Sequence, residues 1–531
     1  MFQNEPLTDF TIAANRDQFR AALQAVEDRI LGGGFRTGPI IEGKESFTGR
    51  SIASLDPSRS AITVGTVFLA SAAEADRAIA VLRQGQAGWA GLPAKSRADI
   101  IRRAGALMRE RRLALAALMT REGGKPWKES DGDVAEAIDF CFYYADEAER
   151  LAHPFRTQEV MGEENTLYHL PRGTAAVISP WNFPLAIACG MVVAGLVTGN
   201  TVVLKPAEQT SLIAGELARI LLEAGVPPTA FALLPGLGEE VGRRLVVHPH
   251  VDMICFTGSK SVGLEILATA AKVQDGQVNL KRVIAELSGK NAIIVDEDAD
   301  LDEAIKGVLY SAFGYAGQKC SACSRAIIVG DAYEPFMRRL TAAAADLIIG
   351  EAKDPATLIG PVIDEESQQR ITGIITRIEQ DTPLAFRGAV PTGGYFVPPT
   401  IFKDVQSTSL AWREEIFGPV LGCRQAKSFD EAIELANDSS FALTGGLFSR
   451  SPAHIQQAIA QVECGNFYIN RGCTGALVGR QPFGGFKMSG VGAQAGGPDY
   501  LLQFVHSRVV SENTMRRGFA PPSPGESKSA R

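Results

Sequence analysis

Cysteine is scarce in this chain of 531 residues. The eight cysteines lie at positions 141, 189, 255, 320, 323, 423, 464 and 473, too few and too scattered for a disulfide scaffold. Such usage is typical of a reducing compartment, so the cytoplasm is the predicted location. The N-terminal sequence Met-Phe-Gln-Asn-Glu-Pro also lacks the basic start and apolar run of a signal peptide, and we expect no secretory precursor.

Clusters of basic residues are missing as well. The formal net charge is −7, and no block of lysine and arginine stands out. Since nucleic acids bind to basic surfaces, no nucleic-acid partner is expected. The hydrophobic content of 45% and the charged content of 21% are ordinary for a globular protein, and the length predicts roughly two to four domains.

One long stretch without any charged residue runs from position 173 to position 204. Pro180, Asn182 and Pro184 interrupt it, and Gly199-Asn200 marks a turn. These residues would break a membrane helix, so the stretch is predicted to fold as strand, turn, helix and strand. No contact with a membrane is expected.

Alternating strand-like and helical patterns dominate the middle of the chain. Helical segments, including residues 211–224 and 260–271, separate several apolar runs. The alternation predicts an α/β protein with a parallel, doubly wound sheet, and a second alternating block covers residues 301–447. The strand-like runs are residues 166–170, 175–178, 201–204, 230–234, 253–256, 283–286 and 292–295.

The two ends of the chain show other patterns. Residues 1–60 are predicted to be irregular except for one short helix over residues 16–32, which the three glycines at 32–34 would end. Residues 500–510 are predicted to form a late strand that pairs outside its own domain, and residues 516–531 a disordered tail. Three helical segments between these ends form a scaffold: residues 72–90, 96–122 and 131–151.

Cys320 is the candidate nucleophile. A thiolate is a strong nucleophile once its pKa is lowered or a base stands near it. Gly314 and Gly317 precede the cysteine and allow a close approach of the backbone. Two other interpretations exist, a buried structural cysteine and a redox pair with Cys323, although the surroundings of this C-x-x-C are unlike those of thiol oxidoreductases.

Asn182 stands between Trp181 and Phe183 at the end of a predicted strand, where α/β proteins form their sites. Its amide can donate a hydrogen bond to an oxyanion that develops on a substrate. An asparagine in this position also fits a turn in which the side chain bonds to nearby backbone.

Two acidic residues follow apolar segments. Glu286 ends a strand-like run, and apolar surroundings should raise the pKa of its carboxyl group and suit it to general base catalysis. An ion pair of Glu286 with Lys290 or Arg282 is the competing interpretation. Glu415 lies beside a tight turn, either as a site residue or as a surface acid near Arg413.

Three loops after strands indicate a dinucleotide. Glu208 follows Lys205 at a strand end and can accept hydrogen bonds from ribose hydroxyls, which would favour NAD over a cofactor with a 2′-phosphate. Gly258 and Ser259 open a helix and suit a phosphate, and the loop that ends at Gly238 can line the same groove. Helix-end roles for Glu208 and Ser259 remain as alternatives.

A metal site is not predicted. His248-Pro249-His250 is the one short fragment with ligand character, and no acidic or cysteine cluster accompanies it in the sequence. A surface turn explains it better.

Together these segments resemble the aldehyde dehydrogenase superfamily over nearly the whole chain. The resemblance implies a homodimer or larger homo-oligomer of two-domain subunits, each with two doubly wound parallel-sheet domains and a small oligomerisation β-arm. It implies an NAD-binding domain of residues 1–154 and 173–285, a catalytic domain of residues 286–490, and an arm of residues 155–172 and 499–512. The matching segments are Trp181-Asn182-Phe183, Lys205-Pro206-x-Glu208, Phe256-Thr257-Gly258-Ser259, Glu286-Leu287-x-Gly289-Lys290, Gly317-Gln318-x-Cys320 and Glu415-x-Phe417-Gly418-Pro419.

The resemblance also implies roles for single residues. Cys320 would be the nucleophile, Glu286 the general base and Asn182 an oxyanion donor. Ser288 stands where the superfamily usually has glycine, which should tighten the backbone near Glu286. For NAD, Lys205 and Glu208 would hold the adenine-side ribose, Ser259 the pyrophosphate and Glu415 the nicotinamide-side ribose, and the other contacts would come from Ile178, Ser179, Pro180, Trp181, Gly238, Phe256, Thr257, Gly258, Leu287 and Phe417.

Within the superfamily, the chain resembles the branch of 1-pyrroline-5-carboxylate dehydrogenases. Residues 317–325, 470–479, 482–486 and 496–500 carry this resemblance, and the acidic run that begins at residue 129 agrees with it. It implies glutamate γ-semialdehyde as the small-molecule substrate of a stand-alone enzyme. Another acid semialdehyde such as succinate semialdehyde, or a cysteine hydrolase without NAD, are the alternatives. The implied substrate contacts are Ser321, the backbone of Gly475 and Ala476, and the rings of Phe183 and Phe486.

Overall fold

The computed structural model describes residues 2–515, so the predicted tail at residues 516–531 lies outside the described residues. Within this range the α-helices are α1 (Ala13–Leu31), α2 (Ala72–Ala90), α3 (Ala94–Glu110), α4 (Arg112–Glu122), α5 (Trp127–Ala152), α6 (Ala186–Val197), α7 (Ser211–Ala224), α8 (Arg243–Val247), α9 (Lys260–Ala270), α10 (Leu301–Phe313), α11 (Tyr333–Ala345), α12 (Glu365–Ile378), α13 (Leu410–Arg413), α14 (Phe429–Asn437) and α15 (Pro452–Gln461).

The strands of the same range are β1 (Phe35–Thr37), β2 (Ile40–Ile41), β3 (Lys44–Glu45), β4 (Ser51–Asp56), β5 (Arg59–Phe68), β6 (Phe155–Arg156), β7 (Glu163–Pro171), β8 (Thr174–Ile178), β9 (Thr201–Lys205), β10 (Phe231–Leu233), β11 (Met253–Thr257), β12 (Arg282–Glu286), β13 (Asn291–Val295), β14 (Cys323–Val329), β15 (Leu384–Arg387), β16 (Thr400–Phe402), β17 (Val420–Ala426), β18 (Phe441–Ala442), β19 (Thr444–Phe448), β20 (Asn466–Ile469), β21 (Phe486–Lys487), β22 (Gly490–Val491) and β23 (Val505–Asn513).

Two large sheets organise these elements. The first has the order β22-β12-β11-β8-β9-β10-β2-β3, and its five central strands are parallel. The second has the order β15-β16-β17-β14-β13-β19-β20 and is parallel except for β15 at its edge. This arrangement confirms the predicted α/β class with two doubly wound sheets.

The uncharged stretch folds as its sequence predicts. It forms β8, the loop that contains Asn182, the buried helix α6 and then β9. Every residue of β8 and β9 is buried, as expected for central parallel strands whose two faces are both covered. Among the described residues, no helix is long and apolar enough to span a membrane.

A three-stranded antiparallel sheet, β23-β7-β6, lies apart from the two large sheets. The late strand was predicted to begin at Tyr500, and this start is wrong. Tyr500–Phe504 forms a buried 3₁₀ turn in the first core, where the Tyr500 ring stacks on Tyr144 with centroids 5.4 Å apart. The strand begins only at Val505, after the chain has left that core.

Three further differences from the sequence-based expectations concern boundaries. Residues 1–60 are more regular than expected, because β1–β5 form there and β2 and β3 join the first sheet. The helical segment over residues 96–122 is two helices, α3 and α4. Glu286 and β22 both belong to the first sheet, although the sequence places residues 286–490 in the second domain.

Candidate active site

The first sheet has its topological switch point beside β8. From β8 the chain proceeds to β9 and β10 on one side and then to β11 and β12 on the other. Ligands of open α/β sheets bind where the carboxyl ends of two such strands diverge. The loops at this crevice are Ser179-Pro180-Trp181, which follows Ile178 at the end of β8, and Gly258-Ser259, which follows Phe256 and Thr257 at the end of β11.

The residues expected to hold the ribose meet beside this crevice. Lys205 ends β9, and its Nζ donates to Glu208 Oε1 at 2.8 Å. Gly238 lies next to them, since a Cβ atom added there would be 3.9 Å from Glu208 Oε1. The buried Ser179 hydroxyl has no hydrogen-bond partner within residues 2–515. An orphaned donor beside an open carboxylate fits a ligand rich in hydroxyl and phosphate groups.

Ser259 caps helix α9. Its Oγ accepts from the N–H of Val262 at 3.4 Å, so the capping role that the sequence left open is present. The backbone N–H of Gly258 donates to the carbonyl of Glu286 at 3.1 Å and ties this loop to the end of β12. The helix N-terminus that the sequence singled out for a phosphate therefore lies at the crevice.

Glu415 lies just before β17, a strand of the second sheet, and contacts the loop after β12. Its Oε1 accepts from the N–H of Gly289 at 2.8 Å, and burial raises the pKa of its carboxyl group. Ser288 donates to the same carboxylate, and its hydroxyl accepts from the N–H of Lys260 at 3.2 Å. The unusual serine thus links the loop after β12 to α9 and to Glu415.

Two aromatic residues and a leucine complete this side of the crevice. The ring of Phe417 meets that of Trp181 edge to face, with centroids 5.5 Å apart. Leu287 donates its N–H to the carbonyl of Ser489 at 2.8 Å and packs against Gly263, where any side chain would collide with it. The sequence-predicted cofactor residues thus lie at the ends of β8, β9, β10, β11 and β12 or on the loops after them, and on the segment before β17 that bonds to the last of these loops.

Cys320 lines a cavity of about 330 Å³ between the two domains. It follows a left-handed run in which Tyr315, Ala316 and Gly317 all have positive φ. Position 317 requires glycine, because a Cβ atom there would lie 2.4 Å from the carbonyl oxygen of Gly418. Burial raises the pKa of the Cys320 thiol, the carboxylates of Glu415 and Glu286 raise it further, and the N–H of Ser321 opposes them.

Glu286 lines the same cavity at the end of β12. Burial raises the pKa of its carboxyl group to about 8, and its buried Oε2 has no hydrogen-bond partner in the described part of the chain. The ion pair that the sequence left open does not form, because neither Lys290 nor Arg282 bonds to it there. The ionised fraction of such a group is a strong enough base to take a proton from a water molecule, and this fraction grows as the pH approaches 8.

Asn182 is buried between the two domains. Its Nδ2 donates to the backbone carbonyl of Gln318 at 3.0 Å, close in sequence to Cys320. The amide therefore bonds to a distant segment and does not satisfy its own turn. Cys320 and Glu286 line one cavity, and the Asn182 amide is bonded to the chain two residues before Cys320. A thiol, a carboxyl group and an amide donor can together attack a carbonyl, stabilise its oxyanion and hydrolyse the adduct.

Most of the predicted substrate residues lie on the cavity wall, namely Phe183, Ser321, Gly475 and Ala476. Phe486 does not, and this expectation is corrected. Its side chain is 45% exposed, and its backbone pairs with Ala442 in the two-stranded sheet of β18 and β21, which holds it outside the cavity. Phe483, three residues earlier, lines the cavity instead.

Several charged residues in and near α5 line the cavity, although the sequence did not predict them as site residues. Glu129 and Glu136 line the cavity, as do Asp133 and Lys319. Glu129 Oε1 accepts from Lys319 Nζ at 2.7 Å, and Lys125 pairs with Asp133 in full burial. The signal was present, since acidic residues recur at a helical spacing of three or four in the run that starts at Glu129.

Comparison with protein families matches residues 44–510 of this chain to the aldehyde dehydrogenase family. The chain belongs to that family. Relatives named 1-pyrroline-5-carboxylate dehydrogenase come from Geobacillus sp. (strain WCH70), at 45% identity, and from Bacillus subtilis (strain 168), at 42%. Each alignment covers 96% of this chain and 99% of the relative.

Solved structures of other aldehyde dehydrogenases have the same fold. The 1-pyrroline-5-carboxylate dehydrogenase from Thermus, crystallised with bound NAD, superposes with a TM-score of 0.94 at 42% identity and covers 97% of this chain and 99% of its own. Proline utilization A from Bdellovibrio bacteriovorus superposes with a TM-score of 0.96 at 47% identity. That alignment covers 98% of this chain and 54% of the Bdellovibrio chain, so the present chain spans about half of that protein.

Proposed function

We propose that this aldehyde dehydrogenase oxidises L-glutamate γ-semialdehyde to L-glutamate with NAD, the second step of proline catabolism. The observation that carries the proposal is one cavity whose wall carries two chemically different sets of groups. Cys320 and Glu286 line it, and so do groups that suit an amino acid. Relatives named 1-pyrroline-5-carboxylate dehydrogenase at 42–45% identity over nearly the whole chain support it.

Three groups on the cavity wall suit a carboxylate. The N–H groups of Gly475 and Ala476 donate to no protein acceptor in the described chain, and neither does the Ser321 hydroxyl. Gly475 has φ of 77°, and a residue in this conformation turns successive N–H groups toward a common point. Three free donors on the wall of one cavity would bind the α-carboxylate.

A second feature suits an α-amino group. Glu136 lines the cavity, and its carboxyl group makes no hydrogen bond within residues 2–515. Burial raises the pKa of its carboxyl group to about 8, and Asp133 raises it while Lys125 lowers it. An ammonium group beside it would restore the ionised form and gain a charge-assisted hydrogen bond. Succinate semialdehyde carries no such group, which favours the amino acid aldehyde.

The crevice beside β8 suits NAD, which would supply the hydride acceptor. Lys205 and Glu208 would hold its adenine-side ribose, with Ser259 near the pyrophosphate and Glu415 at the nicotinamide-side ribose. The other contacts would come from the remaining crevice residues: Ile178, Ser179, Pro180, Trp181, Gly238, Phe256, Thr257, Gly258, Leu287 and Phe417. The partly exposed Glu208 carboxylate would repel a 2′-phosphate, so NAD should be preferred over NADP.

In this mechanism the residues of the cavity act in sequence. Cys320 gives its thiol proton to water and attacks the aldehyde carbon as a thiolate. The Asn182 amide and the Cys320 N–H stabilise the oxyanion that forms, and one such donor is worth about 3–4 kcal/mol. After oxidation a thioester remains on Cys320. Glu286 then takes a proton from water, and the resulting hydroxide releases glutamate and the free thiol. Phe183 packs against the aliphatic part of the substrate.

We further propose that the first sheet with its helices is the NAD-binding domain and the second sheet the catalytic domain. The β6–β7–β23 sheet would be an oligomerisation arm, since β23 is the last strand of that sheet within residues 2–515 and Val509 is 60% exposed. Light scattering measures the mass of the protein in solution, and a mass equal to that of one chain would disprove the oligomer. The eight free thiols fit a reducing compartment, and we propose the cytoplasm.

A substrate panel tests the proposed function. Glutamate semialdehyde, succinate semialdehyde and an aliphatic aldehyde are each offered with NAD and with NADP, and absorbance of the reduced cofactor is followed. The highest kcat/KM is expected for glutamate semialdehyde with NAD. Equal values for the two semialdehydes would shift the assignment to another acid, and no absorbance change with any aldehyde would indicate a cysteine hydrolase.

Ser321→Ala should lower kcat/KM for glutamate semialdehyde about tenfold, because a hydrogen bond to the carboxylate is lost. For an aliphatic aldehyde of similar length the value should hardly change. Ser324→Ala is the matched control, since Ser324 lies on the same segment and its hydroxyl bonds to the Asn291 carbonyl outside the cavity. An equal loss with both aldehydes would remove Ser321 from the carboxylate site.

Glu136→Gln should narrow the preference for glutamate semialdehyde over succinate semialdehyde. The variant keeps the shape of the side chain but cannot form an ion pair with the ammonium group, so the ratio of the two kcat/KM values should fall about 10- to 100-fold. Succinate semialdehyde serves as the internal control because it has no amino group. An unchanged ratio would show that the amino group is bound elsewhere.

A further inference from the structure

Lys125 is a fully buried cation beside the loop that follows β8. Its Nζ donates to Asp133 Oδ2 at 2.8 Å and to the backbone carbonyl of Asn182 at 2.6 Å, and neither side chain of the pair has exposed surface. The other carboxylate oxygen, Asp133 Oδ1, accepts from the N–H of Ala186 at 2.7 Å. One ion pair therefore holds the loop of residues 182–186 at both of its ends.

The same cation also contacts the segment that meets this loop. Lys125 Nζ lies 3.9 Å from the centre of the Phe183 ring and 4.7 Å from that of Tyr315. Tyr315 starts the left-handed run that leads to Gln318, whose carbonyl accepts the Asn182 amide. Lys125 is thus in contact with both pieces of chain that set the position of the amide.

Stability alone is a poor explanation for this pair. Removing two charges from water is costly, and well-packed apolar residues of similar volume often stabilise a core as much or more. Apolar residues cannot, however, hold a backbone carbonyl and a backbone N–H by directional hydrogen bonds. The feature that distinguishes the pair is that it fixes two backbone groups, at residues 182 and 186.

We propose that Lys125 and Asp133 are positioning residues for the oxyanion donor. They fix the backbone at both ends of the 182–186 loop, so that the Asn182 amide stays in reach of the oxygen that becomes negative when Cys320 attacks. This inference rests on the proposed function. Donors of this kind act because they are held in place before the reaction, and a displacement of about 1 Å can lower a rate about 100-fold.

Lys125→Met tests the inference. Methionine has a similar length and can pack against the two aromatic rings, but it donates no hydrogen bond. The rate of NADH formation in the first turnover, at saturating NAD and semialdehyde, should fall about 100-fold. The affinity for NAD should change little, because Glu208 is untouched. The KM for the semialdehyde is measured separately, since Lys125 also lowers the pKa of Glu136, but at saturation it does not affect the first-turnover rate.

A second mutation separates positioning from general damage. If Lys125 acts through Asn182, the Lys125→Met/Asn182→Ala double variant should be no slower than Asn182→Ala alone, since the same donor cannot be lost twice. Losses that multiply independently would overturn the inference. So would a first-turnover rate in Lys125→Met that equals that of the wild type.

Arg121→Met is the matched control. Arg121 forms a buried ion pair with Asp56 at 2.9 Å, with both side chains 4% exposed, and a second pair with the partly exposed Glu27. It does not touch the loop. This variant should lower the melting temperature as much as Lys125→Met does, yet keep the wild-type first-turnover rate. A similar loss of rate in Arg121→Met would mean that any buried pair has this effect, and the inference would fail.

The design also covers two other outcomes. If Lys125→Met does not fold, the double variant Lys125→Met/Asp133→Asn is measured in its place. It removes both charges and so leaves no unpaired ion in the core. The same loss of first-turnover rate is expected. If none of the aldehydes supports NAD reduction by the wild type, the proposed function fails. If the wild type is active and Lys125→Met/Asp133→Asn has the same first-turnover rate, the positioning role is overturned and the proposed function stands.

Discussion

The Cys320→Ala variant should form no NADH from any aldehyde. Without the sulfur no thiohemiacetal forms, and the remaining groups of the cavity cannot prepare the aldehyde carbon to give up a hydride. Loss of a nucleophile costs more than loss of any single donor, so the rate should fall about 10⁴-fold or more. Stopped-flow absorbance in the first turnover measures this step without interference from product release.

Cys464→Ser is the control for this prediction. Cys320 and Cys464 are the two cysteines that are only partly buried, and Cys464 lies away from the cavity with its thiol bonded to the Asn466 carbonyl. Its replacement should leave NADH formation intact. Mass spectrometry of enzyme trapped with substrate should place the acyl group on the peptide that contains Cys320, and an adduct on any other peptide would contradict the assignment.

The sequence predicts the strands and helices of the first domain well, because local signals agree there. Each central strand is an apolar run that ends at a glycine, proline or polar loop, and one of the following helices, α9, begins with a capping side chain. Ser259 provides this cap at the end of the segment after β11. The crevice residues follow from the same pattern, because loops after parallel strands share one edge of the sheet.

Local signals fail where distant packing decides the outcome. Residues 500–504 are as apolar as a strand, but stacking of Tyr500 on Tyr144 draws them into the first core as a turn. Phe483 and Phe486 are both aromatic residues that could line a cavity. Phe483 does so, and the pairing of β18 with β21 keeps Phe486 outside it. The helical spacing of the acidic residues in α5 was visible, but which of them face the cavity depends on how α5 packs.

The reactive groups also differ in how much the sequence reveals about their state. The apolar run before Glu286 correctly predicts a raised pKa, because burial is a property of the central strand that carries it. The partners of Asn182 are not predictable in this way. Its side-chain amide donates to the Gln318 carbonyl, 136 positions away in the chain. Its backbone carbonyl accepts from Lys125, 57 positions away.

Glu286→Gln should give a first burst of NADH followed by very slow turnover. Glutamine cannot take a proton from water, and loss of a general base lowers a rate about 10²- to 10⁴-fold. The burst should survive, because the Glu286 carboxylate is one of the charges that raise the pKa of Cys320, and its removal does not hinder thiolate formation. The acyl-enzyme should therefore accumulate on Cys320 and be visible by mass spectrometry.

The pH dependence gives this prediction a second, independent test. Burial raises the pKa of Glu286 to about 8, so at pH 7 most of the group is protonated and only the ionised fraction acts as a base. The wild-type kcat should then rise about tenfold for each pH unit up to about 8 and level off above it. Glu286→Gln should lack this rise. Equal loss of burst and turnover, or an unchanged pH profile in the variant, would mean that Glu286 acts before the thioester forms or only holds the structure.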